Sequence, residues 1–554
     1  MIKNILNNIF KYKEKNNYEF ILPNTANNID DSNFEKTDNE LVSNSLDINL
    51  EYLKIKYNML INKDIKIRDF ILTIQGKKIP AFLLYIDGMV DSTNINNFVL
   101  EPLLLRNSIK MKESSSQTSV AKDKTLKFNL EKFIYSSLIP QNNVSKENQF
   151  KQIIPKINAG FCALFVDSLS CALCIETKGF KTRNIDKPVT ESVVKGAHEG
   201  FVENLRTNTS MLRKIVNNEK LIIEETTIGK LNKTQVAICY LKDITNDDLV
   251  AEVRYRLNNL DIDYILSSNQ LEQFIKDSAT TAFPQTISTE RSDKAANYLM
   301  LGRIVVLVNG SPFSIILPAV LVDFLTSPED FNLNYHYANF LRLLRAIALV
   351  GALLVPGMYV AITMFHYELL PSELLFAIIA SREAIPFPVI FEIIIMEVCF
   401  ELIQEASIRV PSSFSTTVGI IGALILGDAA ISANIVSPIL IIIVAFSAIC
   451  AFTIPDNTLR FAIRMFRFMY IILGYIAGFL GIALGFFIHF LILTNQSSFG
   501  VPFFAPYIPY NNLSHNSNLY MEPVWKRENR STFLNTKRPK LENTISMKWR
   551  SHGK

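Results

Sequence analysis

Residues 338–494 constrain this chain more than any other part, because their composition decides which solvent surrounds them. Apolar runs there reach about 20 residues, a length that suits a lipid bilayer better than a globular core. A helix-like segment inside the stretch carries Glu397, Glu401 and Glu405. Ionisable groups are costly at membrane depth and are usually functional there, so these carboxylates are the most informative residues of the chain.

The length, charge and cysteines of the chain limit the classes of protein to which it can belong. A length of 554 residues exceeds what one core supports, so we expect several domains. The formal charge of +4 is small and the lysines are dispersed, which argues against a nucleic-acid partner. Cys171 and Cys174 form a CxxC without a second pair, so we expect buried apolar thiols and no zinc.

The expected architecture is an α/β N-terminal region of two small subdomains followed by an all-α multi-span membrane domain. Residues 1–15 lack the apolar region of a signal peptide, so the N-terminal region is expected in the cytoplasm. The predicted segments are an arm, two α/β subdomains, a transmembrane helical domain and a basic cytoplasmic tail, over residues 1–48, 49–150, 151–330, 331–495 and 496–554.

Two hairpins are predicted in the α/β region, because β-branched and aromatic runs there are separated by short turns. They lie at 161–176 and 303–318, the second around an Asn-Gly turn, and strand-like runs are also expected at 65–74 and 81–86. A further strand is expected at 234–241, and helices are expected at 191–217 and 247–257. Residues 107–123 are polar and are predicted to form an exposed loop.

Four membrane crossings are predicted. One is expected at 341–365, two within 418–454 and one at 466–493. Residues 386–408 also have the length to cross, but they carry four glutamates and are as well suited to an interface or an enclosed cavity. An even number of crossings places the tail on the cytoplasmic side, which its excess of lysine and arginine also favours.

Side chains within these spans add detail. Arg342 and Arg345 lie in the first turns of the first span, where long cationic side chains can reach the interface. Pro356 is expected to kink that span. Glycines recur at three- and four-residue spacing in the last span, which predicts close packing of a neighbouring helix on that face.

Glu397, Glu401 and Glu405 follow one another at four-residue steps and so share one face of a helix. Such a face would form rings of negative charge in an oligomer and favour cations. An amphipathic helix whose carboxylates meet solvent or neighbouring arginines, such as Arg382 and Arg409, explains the same spacing equally well. The spacing leaves both interpretations open.

Two further carboxylates belong to the predicted ion pathway. Glu392 precedes the three-glutamate face, and Asp428 lies in a polar break of an apolar run. Unwound backbone is tolerated at membrane depth only where protein or a water-filled cavity surrounds it. A simple loop outside the membrane is the plainer explanation for the break at Asp428.

The α/β region offers no recognisable catalytic set. His198 is its only histidine between residues 48 and 334, and neither a phosphate-binding glycine loop nor a nucleophile motif is present. We therefore predict no enzyme activity, no catalytic residues, no cofactor and no metal site. The polar segments 195–200 and 289–294 look like salt-bridged helix starts.

The chain resembles the A subunits of GerA-type spore germination receptors. The shared motifs, found in the family's order between residues 159 and 506, are TESVVKGAHEGFVENLRTNT (190–209), YLKDI (240–244), FPQTISTERSDK (283–294), SPED (327–330), SREAIPFP (381–388) and FGVP (499–502). The motif residues singled out are Glu290, Arg291, Arg382, Glu383, Pro386 and Pro388. Where the family has Pro-Arg-Glu-Gly, this chain has Ala-His-Glu-Gly at 197–200, which questions any essential role for that arginine.

The resemblance implies a multi-pass protein of the spore inner membrane that works with a transporter-like B subunit and a lipoprotein C subunit. It also implies a homo-oligomer in contact with lipid that conducts cations in response to nutrients, which favours the pore interpretation of the glutamate face. A stage V sporulation protein AF type of channel and a non-conducting scaffold are the alternatives. A secondary transporter ranks last, because such transporters have paired broken helices and only one break is visible.

Overall fold

In the computed structural model the chain forms two compact units. Unit 1 comprises residues 1–276, 288–318 and 530–541, and unit 2 comprises residues 277–287, 319–529 and 542–554. The structure describes residues 20–23, 41–74, 77–105, 130–179, 188, 191, 193, 195–409, 427–508 and 520–541. The predicted loop at 107–123, most of the predicted arm, the apolar residues 418–426 and parts of the tail lie outside the described residues.

The first sheet of unit 1 has five strands in the order β1-β2-β4-β5-β3. The strands are Ile65–Ile74 (β1), Lys77–Ile86 (β2), Val144–Glu147 (β3), Phe161–Val166 (β4) and Ala172–Glu176 (β5). Each neighbouring pair is antiparallel, which confirms the hairpin predicted at 161–176 and pairs the strand-like runs at 65–74 and 81–86 as a hairpin that was not predicted. Apolar clusters cover both faces of the sheet, so its inner strands are apolar without alternation.

The second sheet has the order β6-β7-β9-β10-β8. Its strands are Leu221–Ile228 (β6), Thr234–Leu241 (β7), Ile287–Thr289 (β8), Ile304–Val308 (β9) and Ser314–Leu317 (β10). The predicted strand at 234–241 and the predicted hairpin at 303–318 are confirmed. The connection between β9 and β10 is longer than a two-residue turn, and Gly310 adopts the positive φ of 87° that it requires.

The two sheets repeat one topology, because in each the third strand in chain order lies at the edge beside the fifth. The helices also follow one order in the two halves: a helix precedes the first strand, helices lie between the second and third strands, and a helix lies between the third and fourth strands. The first half contains Leu46–Lys56 (α1), Ser92–Ile95 (α2), Glu101–Leu105 (α3), Leu130–Phe133 (α4) and Phe150–Asn158 (α5). The second half contains Leu205–Val216 (α6), Asp247–Asn258 (α7), Ser268–Ile275 (α8) and Ser292–Met300 (α9). The boundary expected at residue 150 falls inside the first sheet, and the halves divide between β5 and α6 instead.

One predicted helix begins later than expected. The segment 191–217 was expected to be helical throughout, but α6 begins at Leu205, where the Asn204 side chain accepts a hydrogen bond from the Thr207 amide at 3.1 Å. This side-chain cap replaces the missing intrahelical partner of a first-turn amide and fixes the start of the helix. The helix predicted at 247–257 is confirmed as α7, with Asn246 as its cap.

Part of the C-terminal tail belongs to unit 1. Arg530 Nε donates to the Met300 carbonyl at 3.0 Å, and the Lys537 amide donates to the Ile244 carbonyl at 3.0 Å. Leu534 is buried between these contacts. Burial lowers the pKa of Arg530 to about 10. The segment 530–541, which lies within the predicted basic tail, therefore packs as part of unit 1.

Unit 2 is mainly helical. Its helices are Leu321–Leu325 (α10), Tyr335–Phe365 (α11), Ser372–Arg382 (α12), Val389–Arg409 (α13), Gly427–Ser432 (α14), Pro438–Phe452 (α15) and Asn457–Thr494 (α16). Within the described residues, α11 and α16 are the two helices that are long and apolar enough to cross a membrane. The α15 helix is strongly apolar but has only 15 residues.

The α16 segment is a helical hairpin and not the single final span that was predicted. Ala477 and Gly478 have non-helical backbone angles, and the φ of Gly478 is 59°. A Cβ on Gly481 would lie 2.2 Å from the Leu473 carbonyl oxygen, a contact that a straight helix does not allow. Residues 457–476 and 479–494 therefore pack against each other in opposite directions.

Glycines also bring α11 against the first half of α16, as their spacing predicted. A Cβ on Gly357 would meet the Tyr470 carbonyl oxygen at 2.7 Å, and a Cβ on Gly474 would meet the Gly357 carbonyl oxygen at 2.6 Å. At the hairpin turn, Gly478 lies against Phe365 and His366 at the end of α11. The first half of α16 thus runs parallel to α11, and the second half runs back.

Arg342 and Arg345 do not extend freely toward an interface as predicted. Both side chains bind Asp330, which is fully buried, with shortest N to O distances of 3.1 Å and 2.8 Å. Asp330 also accepts a hydrogen bond from the Ser327 amide at 3.2 Å in a capping box. The SPED motif therefore anchors the first turns of α11 through a buried carboxylate.

Candidate ion-pair ladder of helix α13

Helix α13 presents its carboxylates to arginines on neighbouring elements of unit 2. Glu392 comes first and is fully buried. Its Oε1 accepts from Arg382 Nη2 at 3.2 Å, and its Oε2 accepts from the Ser437 amide at 3.2 Å, just before α15. Glu392 therefore ties the end of α12 to the start of α15.

Glu397 and Arg467 form the most buried pair of the ladder. Their side chains are 0% and 1% exposed, and Arg467 Nη1 lies 2.7 Å from Glu397 Oε2. Arg467 Nε also donates to the Ala352 carbonyl of α11 at 2.9 Å. The Nη2 atom of Arg467 is buried and has no partner among the described residues. This buried pair links three helices. Glu397 lies on α13 and Arg467 on α16, and Arg467 also binds the backbone of α11.

Glu401 binds Arg464 one turn further along. Arg464 Nε donates to Glu401 Oε1 at 2.8 Å, and Arg464 Nη2 binds the second carboxylate oxygen. The arginine is nearly buried, whereas about a quarter of the glutamate side chain is exposed. Since Glu397 pairs with the later arginine and Glu401 with the earlier one, α13 runs antiparallel to the first half of α16.

Glu405 and Asp428 are the exposed members of the predicted set. Glu405 pairs with Arg409 within α13, and both side chains are more than half exposed. Asp428 is exposed in the first turn of α14. The predicted break at Gly427 is helical from that residue to Ser432, so α14 is a short helix and not the unwound turn that was expected.

The structure thus brings four of the five predicted carboxylates onto α13 and gives each of those four an arginine partner. Of the arginines named from the sequence, Arg382 and Arg409 do form pairs, with Glu392 and Glu405. The sequence reasoning missed Arg464 and Arg467. Two cations three residues apart in an apolar helix were the available signal, because cations at that depth need partners as much as carboxylates do.

The remaining residues of the SREAIPFP motif do not join the ladder. Arg382 ends α12, and Glu383 follows it as an exposed cap residue. Pro386 and Pro388 are exposed and lie between α12 and α13. Because proline disfavours helix at the preceding residue, the two prolines separate these helices and position Arg382 beside Glu392.

The TERSDK motif in unit 1 forms contacts that hold the neighbouring backbone in place. Arg291 is fully buried and forms a two-pronged pair with Asp293, at 3.0 and 2.7 Å. Its guanidinium also donates to the carbonyls of Glu191 and Ala197, at 3.1 and 2.9 Å. Glu290 is buried beside it, and its carbonyl accepts from the Phe201 amide at 2.6 Å. The motif therefore fixes the irregular segment before α6.

The same contacts show how the segment 197–200 is held, although its sequence, Ala-His-Glu-Gly, differs from the family pattern Pro-Arg-Glu-Gly. Arg291 and Ser292 reach the segment 197–200 through the carbonyl oxygens of Ala197 and Glu199. His198 itself is exposed. Because the backbone makes the described contacts, this segment keeps its place without the arginine and proline of the family pattern. A helix start is present at α9, as expected for 289–294, but 195–200 is not helical.

The fold and the site together define a class of protein: an α/β region with two antiparallel sheets, followed by apolar helices that enclose ion-paired carboxylates. The family model described as Bacillus/Clostridium GerA spore germination protein matches residues 51–533. The chain belongs to the GerA family of spore germination proteins.

Two relatives agree with this assignment. Spore germination protein KA of Bacillus subtilis (strain 168) is 34% identical, covering 90% of this chain and 88% of the relative. Spore germination protein GerLA of Bacillus cereus is 32% identical, covering 86% and 93%. Among solved structures, the N-terminal domain of the A subunit of the Bacillus megaterium spore germinant receptor GerK3 is 29% identical, with a TM-score of 0.36, covering 51% of this chain and 98% of that chain.

Proposed function

We propose that this chain is the A subunit of a spore germinant receptor and that its helical unit conducts cations as a homo-oligomer. The observation that carries the proposal is the buried Glu397 and Arg467 pair among apolar helices. Charges in such a setting are expensive to bury and are kept where they serve ion passage or its control. Family membership supplies the germination context.

The five carboxylates take two roles in this proposal. Glu405 and Asp428 are exposed and supply negative charge along the pathway. Glu392, Glu397 and Glu401 are paired with arginines, so they hold the helices of the pathway wall in register. A negative ring attracts cations where its charge meets solvent, and the exposed pair of Glu405 with Arg409 is a weak one, so we assign selectivity to the two exposed carboxylates.

The proposed setting follows the family. The protein crosses the spore inner membrane several times, with unit 1 and the C-terminal segment in the cytoplasm. It works with a transporter-like B subunit and a lipoprotein C subunit when nutrients are sensed. The proposed activity is ion passage and not an enzymatic reaction. Identifying the genes beside this one would separate a receptor subunit from a stage V sporulation protein AF type of channel.

Cation flux into vesicles that contain the purified chain tests the proposal. Glu405→Gln and Asp428→Asn are expected to lower the preference for cations over anions while flux persists. Glu397→Gln removes the buried ion pair with Arg467 from the pathway wall and is expected to change the total ion flux. Glu373→Gln, an exposed carboxylate on α12, is the matched control and should change neither. Unchanged flux and selectivity in all three test variants would remove these residues from the pathway.

A non-conducting scaffold is the second candidate, because arginines neutralise the three most buried carboxylates of the ladder. In a scaffold the same pairs would serve helix packing alone. Assemblies of the purified chain that form in bilayers and pass no ions would favour this candidate over the channel.

A further inference from the structure

The helices of unit 2 enclose an apolar cavity of about 220 Å³. Its walls come from the middle of α11, from both arms of the α16 hairpin and from Phe283, Leu321 and Phe504. A dry apolar cavity of about 150 Å³ is large enough to admit benzene, so this one accommodates a longer hydrocarbon. The cavity depends on the reversal at Gly478, since Leu459 and Leu493 line it together from opposite ends of α16.

The cavity offers almost nothing to a polar ligand. Tyr470 and His489 are the lining residues with polar side chains, and the Tyr470 hydroxyl lies 3.2 Å from His489 Nδ1, so these two groups satisfy each other. Stacked and tilted rings of Phe283 and Phe466 surround His489 at centroid distances of 5.2 and 4.7 Å. A ligand here gains its affinity from burying apolar surface.

The mouth of the cavity is placed at the depth of lipid chains. Val350 and Phe486 line the cavity and are 48% and 50% exposed, so the cavity reaches the outer face of the helices. Both residues belong to helices, α11 and α16, that are long and apolar enough to cross a membrane, so in the membrane placement of the proposed function the mouth faces lipid chains.

We propose that this cavity binds one acyl chain of a membrane lipid. The inference rests on the membrane placement of unit 2 in the proposed function and does not depend on ion conduction. The bound chain fills the space between α11 and the α16 hairpin and contacts Phe283, which lies between α8 and β8 in the sequence.

The test uses the full chain in nanodiscs that contain a phosphatidylglycerol analogue with a diazirine in one acyl chain. After illumination, mass spectrometry locates the labelled residues. We expect labels on Leu353 and Ile463, which line the cavity and are buried, as well as on Ile442 and Ile472, which are exposed on outer faces.

Filling variants then separate cavity labelling from general lipid contact. Leu349→Trp and Leu354→Trp place a larger ring on the half-buried wall and are expected to remove the labels of Leu353 and Ile463, but not those of Ile442 and Ile472. Ile347→Trp, exposed on the same helix, is the matched control and should leave all labels in place.

Two results would overturn the inference. Labels on Ile442 and Ile472 without labels in the cavity would show insertion in lipid with an unoccupied cavity. Cavity labels that persist in both filling variants would show that the acyl chain binds elsewhere. The absence of any label, together with extraction of the protein by alkaline carbonate, would instead contradict the membrane placement itself.

Discussion

Tyr470 and His489 are 19 residues apart in one helical segment, yet the Tyr470 hydroxyl lies 3.2 Å from His489 Nδ1. A straight helix would separate these residues by about 28 Å, because each residue advances the helix by about 1.5 Å. The reversal at Ala477 and Gly478 removes this separation. Both ends of the longest apolar helix of the described residues therefore lie on one side of unit 2.

The reversal predicts that Gly478 tolerates no side chain. Gly478→Ala should lower the thermal midpoint of the full chain, since its φ of 59° and ψ of −139° lie in a region that side chains avoid. Residues held there cost about 1–3 kcal/mol. The new Cβ would also lie 2.8 Å from His366 Cε1. Gly427→Ala is the matched control, because its backbone is helical and a Cβ added there would have no neighbour within 4 Å among the described residues. Equal midpoints in detergent would contradict the hairpin.

The buried and exposed ion pairs of α13 should differ in their contribution to stability. Glu397→Gln leaves Arg467 charged, buried and without its carboxylate, a change that typically costs about 3–5 kcal/mol. Glu405→Gln removes an exposed pair with Arg409, a change typically worth about 0–1 kcal/mol. The measurement is the midpoint of thermal unfolding for the two variants.

A double variant sharpens this comparison. Glu397→Gln with Arg467→Met removes both charges and should recover much of the lost stability, because no uncompensated charge is left in the apolar interior. If the double variant is as unstable as the sum of its single variants, the two residues do not act as a pair.

Arg291 should not tolerate lysine. Its planar guanidinium holds Asp293 with two nitrogens and reaches the carbonyls of Glu191 and Ala197, which a lysine ammonium cannot do together. Arg291→Lys is expected to expose the segment 191–204 to limited proteolysis. Arg206→Lys is the control, because that arginine pairs with Asp87 at the surface. A protease pattern identical to that of the unmodified chain would show that the motif does not fix the segment.

The cysteines of the first sheet should be unreactive in the folded chain. Burial raises the pKa of Cys162 and of Cys174 to about 12. The thiolate is the reactive form, so at pH 8 only about one thiol in ten thousand is available. Maleimide labelling is expected to be slow at pH 8, faster as the pH approaches 12, and rapid after denaturation.

Leu231→Cys provides the positive control for this experiment, because Leu231 is 78% exposed in unit 1. Its thiol should react at pH 8 within the time that leaves Cys171 and Cys174 unmodified. Rapid native labelling of the CxxC pair, or zinc retained by it after dialysis, would show that these cysteines are not simply buried apolar side chains.

The sequence predicted several elements of the fold well. The hairpins at 161–176 and 303–318 carry their own signals, since turn residues and β-branched runs are adjacent in the chain. The repeated topology of unit 1 was not predicted, because the equivalent strands share an arrangement and not a sequence pattern. Edge strands β3 and β8 are short and are defined by their neighbours.

The sequence predicted the carboxylate face of the candidate site, but it did not predict the partners of Glu397 and Glu401. Four-residue spacing placed Glu397, Glu401 and Glu405 on one face of a helix, because the period of the α-helix is fixed by its backbone. The partners of Glu397 and Glu401 lie 70 and 63 residues away, and no local pattern specifies such a pairing. The spacing therefore left open whether the face lines a pore, meets solvent or pairs with arginines, and the structure forms two of its three pairs across helices.

The sequence alone indicated the family through the resemblance of its ordered motifs, and its composition and spacing indicated an α/β region followed by apolar helices and the carboxylates that such a helix must accommodate. The tertiary structure decided which charges are neutralised, where the C-terminal segment 530–541 packs and that α16 turns back on itself. These depend on contacts between residues far apart in the chain. The backbone angles of Gly478 are a clear case, since a glycine in an apolar run permits a straight helix as readily as a turn.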